Sequence, residues 1–286
     1  DTFLVSLDSI RSLTNSRTKV IVVVHLYGLM CDIDAIAEFA ASKNILLVED
    51  CAQSLGAFRR HKSGGTFGDF GAFSFHAQKN ISTMGEGGML VVRDERLADL
   101  IPGLRHNGHR RFDRQTDYWR PAMTNVDLDM DNLWPHNFSL SEAQSALGSM
   151  LLARIDQLTE QRRKRATHFR ESLLGFEELV FQNIDTPSAH SHHLMVARYD
   201  GSKYKRSNHD LIKILSESYR VKTIVQFYPL YRYDLFSKFG FGDSNCPNTD
   251  YFFDNMISFP FHLWMKDNEF QYLIESVKSA LTELRS

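Results

Sequence analysis

Between residues 19 and 50 the chain places an amphipathic run between two apolar, β-branched ones: KVIVVVHLY (19–27), DIDAIAEFAASKN (32–44) and ILLVED (45–50). Runs so rich in valine and isoleucine predict strands covered on both faces. The middle run sets Ile33, Ile36, Ala37 and Ala40 at helical spacing, with Asp32 as the expected N-cap. Strand, helix, strand over so short a span is a right-handed βαβ unit. Its parallel sheet gathers functional groups at the carboxyl ends of the strands, where Asp50 sits.

Two further strands are predicted over FGAFSFH (70–76) and GGMLVVR (87–93). From Ser139 to about Leu174 the periodicity is helical and leads out of the first unit. The remainder reads as a smaller α+β unit with strands at HHLMVARY (192–199) and VKTIVQFY (221–228). A last helix over 268–284 carries Phe270, Leu273, Ile274, Val277, Leu281 and Leu284 as one stripe. The expected architecture is α/β. A large unit over 1–150 holds a mostly parallel central sheet with flanking helices, and 151–286 supplies an interdomain helix and a small C-terminal domain. The polar, aromatic stretch from Arg105 to about Pro135 is long for a structureless loop and is expected to be functional or interfacial.

Charge excludes some partners. With 33 Lys and Arg against 35 Asp and Glu the formal charge is −2, so no global field favours nucleic acid or an anionic membrane. The basic runs RHNGHRR (105–111) and EQRRKR (160–165) are local, and the second reads as a solvated helix face. Three cysteines, widely spaced, suggest neither a disulfide framework nor a zinc site, and no metal is expected. Without a long apolar run or a basic leader the reading is a cytoplasmic protein.

The candidate chemistry clusters around the second and third strands. Asp50 could accept a hydrogen bond from a protonated ring nitrogen, or cap the next turn. Gln53 is a second polar contact there, or a surface glutamine. Ser74 ends FGAFS, where its hydroxyl could meet a phosphate or simply be satisfied at a strand end. Lys79 lies between that strand and Gly85, Gly87 and Gly88; it is either a Schiff-base amine or a salt-bridge partner of Glu49 or Glu86. His76, His106 and Asn107 could face a substrate. No G-x-G-x-x-G follows the first strand, which sets a dinucleotide-binding reading aside.

Taken together, HLYGLMCDIDAIAEFA, ILLVEDCAQSLGA, GTFGDFGAFSFHAQKNISTMGEGGML and WPHNFSLSEAQSALG resemble the DegT/DnrJ/EryC1/StrS family, the nucleotide-sugar aminotransferases that use pyridoxal 5'-phosphate (PLP) on fold type I. QFYPLY and SFPFHLWM resemble parts of its small domain. The resemblance implies PLP attached covalently to Lys79, Asp50 at the pyridine nitrogen, Gln53 beside the ring oxygen and Ser74 at the phosphate. It also implies a homodimer in which Asn137 reaches the neighbouring subunit's phosphate. An amino acid, glutamate by resemblance, would be the donor and a nucleotide-linked keto sugar the acceptor. A dehydratase branch replaces the lysine with histidine, so Lys79 argues against it, and a non-catalytic scaffold is the remaining alternative. Ser139 stands where family members often carry arginine. The family's phosphate-cradling turn and stacking aromatic precede the position of Asp1, so the chain is expected to be an N-terminally shortened form.

Overall fold

A computed structural model describes residues 1–109, 126, 128, 130, 132–184 and 188–286. Most of the stretch expected to be functional between Arg105 and Pro135, with Arg110 and Arg111, lies outside the described residues.

After a short helix α1 (Leu7–Leu13), the βαβ unit forms as β1 (Val20–Val24), α2 (Ile33–Ser42) and β2 (Leu46–Asp50). The two strands pair in parallel, Val20 opposite Leu46 and Val24 opposite Asp50. α2 buries Ile33, Ile36 and Ala40 in a cluster with Ile21, Val23 and Leu47. β1 departs from the expectation of two covered faces. Ile21 and Val23 are buried, but Val20, Val22 and Val24 are 46%, 63% and 38% exposed. Asp32 occupies the N-cap position without making a cap hydrogen bond. Its carboxylate is 2.6 Å from Arg59 instead, in an ion pair where donor and acceptor are both charged.

A small excursion, β3 (Phe58–Arg59) and β4 (Lys62–Ser63), precedes β5 (Phe70–Ser74) and β6 (Gly88–Val92). β5 runs parallel to β2 and β6 antiparallel to β5, so the sheet order is β1-β2-β5-β6 and the sheet is mostly parallel. Among the described residues β1 and β6 are its edges. Helix α3 (Glu95–Arg105) follows, capped by Asp94, which accepts from the amides of Arg96 and Leu97. The helical run after Ser139 divides into α4 (Glu142–Leu152), started by a Ser141–Gln144 capping box, and α5 (Ile155–Ser172).

The C-terminal half builds its own sheet from β7 (Leu179–Phe181), β9 (Met195–Tyr199) and β10 (Met256–Phe259), all antiparallel. β8 (Ser188–Ala189) pairs with β3 instead. Helices α6 (Asn208–Glu217), α7 (Asp234–Lys238), α8 (Pro247–Asn255) and α9 (Asp267–Leu284) complete the half. Its core joins Phe169 of α5, Leu211 and Leu215 of α6, and the α9 stripe including Ile274, Val277 and Leu281. The strand expected over 221–228 does not form. Only Ile224 bridges, to Ser258, on the edge of β10 that β9 leaves open.

Candidate active site

Parallel pairing places Asp50 opposite Ala72, so the carboxyl ends of β2 and β5 lie side by side with Ser74 two residues further along. The chain then enters the turn that carries Lys79. Phe75 N donates to Gly87 O (2.8 Å), Ala77 N to Gly85 O (2.7 Å) and Lys79 N to His76 O (2.9 Å). Gly87 has no room for a side chain: a Cβ there would lie 2.1 Å from Thr83 Oγ1. The glycines thus let the turn close and hold Lys79 beyond the carboxyl end of β5.

Asp50 Oδ1 accepts from Ala52 N at 2.9 Å, so the turn-capping reading holds for one oxygen. Oδ2 takes no donor from the described residues and remains available. Gln53 is a connector: its Oε1 accepts from Tyr27 N (2.9 Å) and its carbonyl from Ser191 Oγ (3.3 Å). Ser74 Oγ accepts weakly from His76 N at 3.3 Å. Lys79 makes no ion pair with any described residue. Desolvation lowers its pKa, and the neighbouring Asp50 carboxylate only partly opposes that. Both expected salt-bridge partners are engaged elsewhere. Glu86 lies 3.7 Å from His76 Nε2, and Glu49 is buried on another face of β2.

The remaining expected residues make local bonds. His76 Nδ1 accepts from Gln78 N (3.2 Å), which is the simple strand-end role. His106 hydrogen-bonds Ser139 Oγ at 2.6 Å, so the serine found in place of arginine has a local partner. Asn107 is exposed with φ 50°, and its N–H reaches His136 O. Asn137 is exposed, bridged through its backbone to His106, and makes no described hydrogen bond to Asp50, Ser74 or Lys79. Beside it, an open groove of about 790 Å³ runs from Gly87 and Gly88 past Leu104, Trp134 and Phe138.

Two features escaped the sequence reading. The first is a buried pair, His25 and Glu49, 3.0 Å apart. Glu49 also accepts from the amides of Gly65, Phe67 and Gly68 at 2.9, 2.7 and 2.6 Å. Burial alone would raise its pKa, but the bonds from His25, Gly68 and Gly65 outweigh it and hold the carboxyl below its ordinary value. Cys51 lies near this pair, but every Glu49 oxygen already has two donors and burial raises the thiol pKa, so the trio offers a cation little.

The second is the strap from His190 to His193. His193 N donates to Tyr27 O and Ser191 N to Gly28 O, both at 2.9 Å. Gly28, at φ 107°, is required here, since a Cβ would meet Ser191 Oγ at 2.7 Å. Burial, with the charge of Lys79 adding to it, pushes the His193 pKa down to about 3. A periodicity search cannot find either feature, because each joins segments far apart in the chain.

An unpaired, partly desolvated amine, a carboxylate with one free oxygen and a strand-end hydroxyl therefore gather at the carboxyl ends of β2 and β5. That set fits an aldehyde, a protonated ring nitrogen and a phosphate, the functional groups of PLP. The chain matches the DegT/DnrJ/EryC1/StrS aminotransferase family over residues 1–278. It is 30% identical over 264 residues to the spore coat polysaccharide biosynthesis protein SpsC of Bacillus subtilis, covering 92% of this chain and 66% of that one. It is 27% identical to the dTDP-3-amino-3,4,6-trideoxy-alpha-D-glucose transaminase of Micromonospora megalomicea, covering 99% of this chain and 71% of that one. In fold it is similar to an aminotransferase from Psychrobacter cryohalolentis, with a TM-score of 0.91 at 23% identity, covering 100% of this chain and 74% of the other. The chain thus spans about two thirds to three quarters of the length of these relatives.

Proposed function

This chain belongs to the DegT/DnrJ/EryC1/StrS aminotransferase family, and from that premise we propose that it moves an amino group from an amino acid to a keto group of a nucleotide-linked sugar, with PLP held at Lys79. Glutamate is the donor by resemblance. The large unit, 1–150, would bind the cofactor and 151–286 would close the site.

When bound, PLP supplies an electron sink for the carbon next to the transferred nitrogen. The protein's own part is to hold groups and move protons. Lys79 supplies an amine made less basic by desolvation, so more of it is neutral and nucleophilic near neutral pH, and once released it can carry a proton at Nζ. The free oxygen of Asp50 is available to hold a ring N–H. Gln53 and Ser74 offer a carboxamide and a hydroxyl at the same strand ends. The exposure of Asn137, which makes no described hydrogen bond to Asp50, Ser74 or Lys79, supports a role toward a neighbouring subunit in a homodimer with shared sites.

The observation that carries this reading is the unpaired, partly desolvated Lys79 beside Asp50. Its test is borohydride trapping of the PLP-treated protein. We expect a visible absorption band that borohydride abolishes, a peptide labelled at Lys79, amino-sugar formation, and loss of all three in Lys79→Ala. A protein that never develops the band would be a non-catalytic member of the fold. Loss of a hydroxyl from the sugar without gain of nitrogen would mark the dehydratase reaction.

A further inference from the structure

The carbonyls of the His190–His193 strap do not enter a sheet, yet each is taken by a side chain. Arg163 Nε donates to His190 O (2.9 Å), and Arg162 donates from Nε to His192 O (2.7 Å) and from Nη2 to His193 O (2.8 Å). The remaining carbonyl, Ser191 O, accepts from Asn80 Nδ2 at 3.3 Å. Asn80 directly follows Lys79. The same Nδ2 lies 3.5 Å from Leu55 O, two residues after Gln53. Two carbonyls facing one atom of the carboxamide assign that atom as the nitrogen. Asn80 Oδ1 is buried and takes no donor from the described residues.

Arg162 reinforces the arrangement. Its guanidinium is buried, has no carboxylate partner among the described residues, and lies 4.8 Å from the centre of the Phe261 ring. A buried charge held by carbonyls and an aromatic face fixes a position, and here the position is that of the strap. From the other side, Ser191 Oγ reaches Gln53 O and Gly28 O, both at 3.3 Å. The strap therefore touches the Gln53 turn and, through Asn80, the Lys79 turn.

We propose that Asn80 is a positioning residue that ties the Lys79 turn to the 190–193 strap, so that α5, through Arg162, helps to set where the reactive amine stands. The proposal rests on the reading of Lys79 as the PLP-linked amine, but its first test does not. In the cofactor-free protein, Asn80→Ala should quicken amide hydrogen exchange about fivefold or more in residues 76–83 and in 190–194 together, with the β7–β9–β10 sheet unchanged. Asn80→Asp keeps the volume but removes both donors and should do the same. If Asn80→Ala does not fold, Arg162→Lys tests the link from the other end, loosening 190–194 and 76–83 together. In the PLP-loaded protein the pH midpoint of the visible band should move by about half a unit or more, which a space-filling role would not cause. Quickened exchange confined to one segment, wild-type exchange in both, or an unmoved midpoint in a folded variant would each overturn the proposal. Absence of the band in the wild-type protein would instead count against the PLP reading and leave the exchange result to stand alone.

Discussion

Asp50 shows how one side chain can carry both a structural and a chemical role. One oxygen closes the turn onto Ala52 N while the other stays free at the carboxyl end of β2. Asp50→Asn preserves the volume and an oxygen for Ala52 while removing the negative charge. Transamination should fall about a hundredfold or more with the melting temperature little changed, because only the anion keeps a pyridine nitrogen protonated. Near-normal turnover in that variant would remove Asp50 from the proposed site. Asp50 and Ser74 could be singled out as candidates in the sequence because each closes a strand, and Gln53 and Lys79 because they follow those ends within a few residues, and strand ends can be read from local apolar runs. Asp32 does take the N-cap position as expected, but its side-chain partner was hidden for the opposite reason. Its partner, Arg59, comes from β3, and no local pattern announces a long-range ion pair. Asn80 was missed likewise, its partners being Leu55 and Ser191.

At the scale of elements, the strap and β2 share a feature that pH exposes. His190, His192 and His193 are all buried, and burial lowers the pKa of each, to about 3 for His192 and His193. A histidine whose folded pKa lies below its unfolded value gives stability that is fully present above the unfolded value, about 6.5, and is lost as pH falls toward the folded pKa. Each can contribute a slope of up to about 1.4 kcal/mol per pH unit in that window. Glu49 adds to the loss only further down, below the ordinary glutamate value of about 4.3. Denaturant melts from about pH 7.5 to about 5 should therefore show stability falling from just below pH 6.5. A flat profile over that range would mean that the strap histidines are not buried in the neutral form. The same elements mark the limit of periodicity as a guide. It located β1, β2, β5, β6, β9 and α9, yet it also predicted a strand over 221–228. An apolar run does not by itself make a strand: β10 has an edge open to this run, yet only Ile224 bridges to it.

At the scale of the whole molecule, the described residues form a mostly parallel sheet, an antiparallel sheet β10-β9-β7 and a small sheet β4-β3-β8, with the strap docked on the turn after β1. The first two follow one another along the chain, with the helical run after Ser139 between them. Neither the contact of Arg163 with Gly56 O, which crosses between the first 150 residues and the rest, nor that of Arg162 with the strap was legible, since a basic run on a helix looks like a solvated face until its partners are known. Solution behaviour follows from another part of the architecture. Among the described residues, β1 hydrogen-bonds on one side only, to β2, and turns Val20, Val22 and Val24 outward. Such an edge offers a template for a further strand. In a concentrated stock it should govern shelf life: turbidity should develop faster than in proportion to protein concentration, and Val22→Lys should slow it several-fold while leaving the unfolding midpoint nearly unchanged. Equal clouding of the two proteins would place the sticky surface elsewhere. If Val22→Lys does clear the solution, storage life and folding stability are separate properties of this chain, and the first can be lengthened by a residue that contributes little to the second.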